Sequence, residues 1–166
     1  MFLRRLLAVA APLAFATGCP PATGEVCGLS STPPTSDDVA DGHGKATRSD
    51  GEGFDVTGTW APSPASSVDL GTLSMIMQFD ETGSVVDDLI ADGAFPICVP
   101  QGARSETSGQ ANLVEGGFVT DESHDGGLAI LGKEGDVLLG RFAFTLVDQA
   151  GTALSFSDGV FRVPQR

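Results

Sequence analysis

The side chains of this 166-residue chain with chemistry to offer are two histidines, three cysteines and several adjacent carboxylates. Asp37-Asp38, Asp87-Asp88 and Asp121-Glu122 are neighbours in sequence. Glycoside hydrolysis needs two carboxyls facing each other across a cleft, one of them with a raised pKa. Side-by-side residues in polar stretches do not meet that need, and their expected role is solvation. His43 and His124 stand apart, and no Gly-x-Ser-x-Gly, His-Glu-x-x-His or Cys-x-x-Cys pattern occurs. One loop has ligand spacing: Asp121, Ser123 and Asp125 alternate and Gly126 follows, like the first half of a calcium loop. Its second half fails, because Gly132 stands where a bidentate Glu would complete the site. The loop therefore reads as a polar turn, with millimolar calcium binding as the alternative. No catalytic set and no cofactor site emerges.

The cysteines say more. Arg4 and Arg5 precede the apolar run Leu6 to Phe15, which ends in Ala16-Thr17-Gly18-Cys19. A charged start, a short apolar middle and small residues make an export signal. The run has ten residues and contains Pro12, whereas a membrane span needs about 20 apolar residues. Ala16-Thr17-Gly18-Cys19 resembles the lipobox of bacterial lipoproteins, with Ala16 where that family usually carries Leu. The resemblance implies cleavage before Cys19, lipidation of its thiol and membrane attachment through that lipid. Pro20 follows in place of the Asp that retains some lipoproteins at the inner membrane, which implies the outer membrane. Cys27 and Cys98 then remain as an even pair in an oxidising compartment. A Cys27–Cys98 disulfide is expected, with two free buried thiols as the alternative.

Removing residues 1–18 takes the basic count from nine to seven against 22 acidic residues, and the charge from −13 to −15. Such a surface repels nucleic acid, whose binding rests on basic contacts. With no Tyr and one Trp there is also little to stack on bases. Nucleic-acid binding is excluded as a function class, and the acidity reads as a solubilising surface.

These residues must be positioned by the elements that follow. Residues 20 to 50 are rich in Pro, Ser, Thr and Gly and lack apolar periodicity, as a flexible tether would be. From about Gly53 the texture becomes alternation broken by turns. Leu73, Met75, Met77 and Phe79 alternate with polar or smaller partners, and Leu138, Phe142, Phe144 and Leu146 share one face of Val137 to Val147. Phe54 to Trp60, Phe95 to Val99, Gln110 to Val119 and Leu128 to Leu131 read as further strands. Ser84 to Asp92 has helical spacing with Gly93 just past its end. After Asp158-Gly159 the apolar parity flips from Leu154 and Phe156 to Phe161 and Val163. A bulge in one long strand would return both sets to one face; a hairpin turn is the other reading.

The sum is an all-β domain: an antiparallel sandwich or small barrel of six to eight strands. Signal peptide 1–18, lipidated cysteine and tether 19–50, and β-domain 51–166 form the expected organisation. Gly140 to Thr145 through Asp158 to Val163 resembles the terminal meander of uncharacterised bacterial lipoprotein domains. Gly58-Thr59-Trp60 is similar to the Gly-x-Trp of lipocalin-like barrels. That likeness implies a Trp closing one barrel end, with Arg162 of the last strand packed over it and a small apolar ligand inside. The expected function is a non-catalytic structural or binding module of the cell envelope, with a lipocalin-like carrier as the alternative.

Overall fold

Alternating sequence becomes alternating burial. In the strand Leu73–Met77, residues 73, 75 and 77 are buried and 74 and 76 are half-buried. The structure, a computed structural model, describes residues 24–62, 66–77, 85–102, 109–121, 123, 124 and 126–166. Cys19 and Asp125 lie outside the described residues.

In chain order the strands are β1 (Glu25–Val26), β2 (Leu29–Ser30), β3 (His43–Arg48), β4 (Gly53–Ala61), β5 (Ser66–Leu70), β6 (Leu73–Met77), β7 (Ile97–Pro100), β8 (Gln110–Leu113), β9 (Phe118–Thr120), β10 (Gly127–Glu134), β11 (Val137–Val147) and β12 (Ala153–Pro164). One helix, α1 (Val85–Ala91), lies between β6 and β7. Strands β3, β4, β5, β6, β8, β9, β11 and β12 pair in that order, all antiparallel. Since β12 also pairs with β3, the eight strands close into a barrel. Closure decides between sandwich and barrel, and it removes the exposed edges that an open sheet must protect. Strands β10 and β7 are additions, β10 along β11 and β7 along β10.

Large apolar side chains pack inside the ring. Phe54 meets Phe156 edge-on at 5.2 Å between ring centroids, and Phe142 stacks on Phe144 at 5.4 Å. Phe161, Leu70, Met75 and Ile130 complete a core without solvent contact. An eight-stranded barrel is about wide enough for side chains alone to fill it. From α1, Val86 and Ile90 join the same buried cluster. Gly93 (φ 69°) ends that helix in the left-handed conformation. The Gly93 N–H reaches the Ile90 carbonyl and the Ala94 N–H the Leu89 carbonyl, a Schellman pattern.

The parity flip in β12 is a bulge. Phe142 pairs with Gly159 and Phe144 with Phe156, so β12 carries one extra residue. The same extra residue appears towards β3, between Ser157 and Val160. Asp158 takes φ 53° to accommodate it, and Phe156 and Phe161 both end up in the core.

Three expectations need correction. Gln110 to Val119 is not one strand: Glu115–Gly117 forms a tight turn between β8 and β9, with Gly116 and Gly117 at φ 84° and 68°. The expected strand set lacks β5, because Ser-Ser-Val-Asp-Leu is short and has only two apolar residues. Most consequential, the described part of the stretch expected as a tether, residues 24–50, is built into the fold. Its last part is β3, so a boundary at residue 50/51 would fall in the β3–β4 turn. The preceding segment is a strap on the outer wall. Arg141 donates from Nε to the Thr32 carbonyl at 3.0 Å, and Arg162 from Nη1 to the Pro34 carbonyl at 3.0 Å. Val39 is buried, as are Leu139 and Val160, which lie on the outward parity of β11 and β12. Proline-rich composition leaves carbonyls without local partners, and two arginines of the barrel supply them.

Candidate functional site

Strand β11 changes partner along one edge. Along one edge of β11, pairing with β10 ends at Ala143–Gly127, and pairing with β9 begins at Leu146–Thr120. Phe144 and Thr145 have no ladder partner on that edge among the described strands. The acidic segment 121–126 joins the two strands that part there. A cleft of about 450 Å³ opens at this point, bounded by Leu29 and Pro100 outside and by Phe144, Phe156 and Gln101 further in. Its size lies in the range of small-ligand pockets, about 300–1,000 Å³. None of its lining residues is charged, although the chain carries −13 overall.

One rim is the hairpin β1–β2, whose two-residue turn is Cys27-Gly28. Both take positive φ, 56° and 72°, as a type I′ turn requires. Cys27 is bonded to Cys98 on β7, with Cα atoms 5.4 Å apart and a sequence separation of 71. The expected disulfide is therefore present. It fixes the hairpin over the start of β10, where a Cβ on Gly127 would lie 2.7 Å from Cys27 Cβ. Gln101 is 3% exposed and continues the inward parity of Ile97 and Val99. Its Nε2 donates to the Val99 carbonyl at 3.2 Å, while its Oε1 is buried without a hydrogen-bond partner.

The residues singled out for a lipocalin-like end gather at the other end of β10. Trp60 is buried, and its indole N–H donates to the Asp136 carbonyl at 2.9 Å in the β10–β11 turn. The cation over its ring is Lys133, 5.2 Å from the centroid. Arg162 instead faces outwards. Its Nε donates to Asp41 Oδ1 at 2.6 Å and its Nη2 to Glu134 Oε2 at 2.8 Å. Those hydrogen bonds to Glu134 and Asp41 hold the guanidinium above its ordinary pKa, and Arg162 serves as the anchor of the strap. The arginine is thus spent on the wall's outer face, and the cation over the Trp60 ring is a lysine.

The carboxylates have local tasks. Asp121 Oδ1 accepts from the Ser123 N–H and hydroxyl, and lies 2.7 Å from His124 Nδ1. The His124 and Ser123 contacts lower the Asp121 pKa. Asp125 lies outside the described residues, and among the described residues no group of three metal-ligating side chains converges. Asp38 accepts from the Thr35 N–H at 2.8 Å and its hydroxyl at 3.0 Å, which lowers its pKa. The Ser66 hydroxyl donates to Asp87 at the start of α1. His43 Nδ1 lies 3.3 Å from Asp55 across the β3–β4 pair. The cleft itself was missed in the sequence because its lining comes from five distant segments; only Cys27 and Cys98 marked its rim.

Compared with known proteins, the chain matches no family model, no curated relative and no solved structure.

Proposed function

We propose that this protein is an exported lipoprotein of the bacterial envelope, held on the membrane by a lipid on Cys19, with a non-catalytic β-barrel that serves as a binding module. The observation that carries the reading is the Cys27–Cys98 disulfide. Such bonds persist in oxidising compartments, which supports export. It also uses two of three cysteines and leaves Cys19, after Ala16-Thr17-Gly18, as the odd one available for lipid. Two or more acyl chains make anchoring stable, since each buried methylene contributes about 0.8 kcal/mol.

A second reading, a carrier of a small apolar ligand, draws support from the closed eight-stranded ring. The aromatic side chains packed inside the ring, Phe54, Phe142, Phe156 and Phe161 among them, count against a ligand on the barrel axis. The test of the anchor is palmitate labelling in a bacterial host. Wild type takes up label and Cys19→Ala does not, and intact mass shows cleavage before residue 19. Unlabelled wild-type protein with a free Cys19 thiol would overturn the lipoprotein assignment.

A further inference from the structure

We infer that the outer wall formed by β9 and the adjoining end of β11, beside the β1–β2 hairpin, is the face this protein lays against a bilayer of neutral lipid headgroups. The inference rests on the lipid at Cys19 and adds which side of the barrel that anchor turns towards the membrane. Chain length sets the first constraint. Cys19 stands six positions before Glu25, where β1 begins. At about 3.6 Å per residue at most, that link reaches about 22 Å. Its far end is fixed to the wall, because the hairpin is held by the Cys27–Cys98 disulfide and the next residues by Arg141 on the Thr32 carbonyl. A domain of this size is roughly 35 Å across. A link shorter than the barrel is wide cannot pass round to the opposite wall, so the hairpin side must face the membrane.

The second observation is what that side exposes. Cys27, Gly28 and Leu29 lie beside Ala143 and Thr145, on the outward row of β11. Val147 continues that row about 7 Å further on and pairs with Val119 of β9. Among the described residues the large hydrophobics left exposed are Val119 and Val114, at 40% and 74%. Val114 comes two residues after Asn112, the cross-strand partner of Val119, and so continues the same outward side. Strand β4, four strands away either way round the ring, exposes Asp55 and Thr57 instead. Exposed apolar groups thus gather on the side where the link arrives, as at membrane or protein contacts. Glu115 beside Val114 is exposed, and the chain has 22 acidic against nine basic residues. That balance selects neutral headgroups over anionic ones.

The experiment places the native acylated protein in phosphatidylcholine vesicles whose acyl chains carry bromine, a short-range quencher of tryptophan. Val119→Trp puts a reporter on the inferred face and Thr57→Trp puts one on the far wall. Trp60 is buried and common to both, so wild type supplies the background. Quenching of the reporter at 119 is expected to exceed that at 57 at least threefold. Carbene footprinting needs no substitution in the barrel: labelling of residues 114–119 should be several-fold lower on vesicles than in the Cys19→Ser chain, with residues 53–59 unchanged. Equal quenching at the two positions in acylated protein would overturn the face. So would a blue-shifted reporter at 119 that bromine leaves unquenched, which would assign the valines to a second copy of the chain. Absence of an acyl mass on Cys19 would overturn the anchor and this face with it, whereas an acyl mass with equal quenching would overturn the face alone.

Discussion

Arg162 and Asp41 are 121 residues apart in sequence, yet the guanidinium Nε lies 2.6 Å from the Asp41 carboxylate. This contact joins the last strand to the segment that precedes the first barrel strand. Together with the bonds to Glu134 and the Pro34 carbonyl, it makes a buried arginine the fastener of the strap. Asp41 and Glu134 are themselves more than half exposed, so losing the arginine strands no buried carboxylate.

Arg162→Met is accordingly expected to lower stability by about 2 kcal/mol, the scale of charge-assisted hydrogen bonds, and to leave the barrel folded. Urea unfolding checks the magnitude. Limited proteolysis checks the place: cleavage between residues 31 and 42 should accelerate, while β11 and β12 stay protected.

The disulfide closes a long loop, with 71 residues of sequence separation. On the chain-entropy model that constraint stabilises by about 4 kcal/mol. The double variant Cys27→Ala/Cys98→Ala should lose most of this in urea unfolding. Amide exchange in β1, β2 and β7 should rise more than in β4 or β12, because the bond ties the hairpin to an added strand outside the closed ring.

Gly140 sits where β11 and β12 pack face to face with the core. A Cβ there would lie 2.3 Å from Phe161 Cζ and 2.5 Å from the Ala129 carbonyl oxygen. Overpacking of this kind costs about 1–3 kcal/mol. Gly140→Ala should lower the melting temperature, and Phe161→Leu in the same chain should recover part of the loss. Simple additivity of the two changes would refute the contact as the cause.

Asp148 organises the β11–β12 turn by accepting the Thr152 N–H at 2.7 Å and the Ala150 N–H at 2.8 Å. The Thr152 backbone bond, with those of Ala150 and Gly151, lowers its pKa below the ordinary 3.8. A depressed folded pKa means the contribution is complete above 3.8 and disappears as pH falls through the folded value. The stability gap between wild type and Asp148→Ala should therefore be constant above about pH 5 and shrink in acid. A gap that grows in acid would contradict the hydrogen-bonded carboxylate.

Much of the barrel was legible because its determinants are local. Two-residue alternation marks β6 and β11, and a glycine beyond a helical pattern marks the end of α1. Even the bulge was readable, since a parity flip at Asp158-Gly159 within one apolar stretch has few other solutions. The strap was not, because Thr32, Pro34 and Asp41 have no pattern of their own. Their partners lie more than 100 residues away in Arg141 and Arg162.

The all-β character, the cysteine behind a signal-like run and the two further cysteines are read directly from the chain. Each follows from composition, spacing or parity within a few residues. Closure of the sheet, the role of the Pro/Ser/Thr segment as a strap, and the sharing of one β11 edge by β9 and β10 emerge from long-range pairing alone. Closure depends on β12 meeting β3, and the cleft on residues drawn from five segments. Alternation states which side of a strand is apolar; it carries no information about which strand stands next to it.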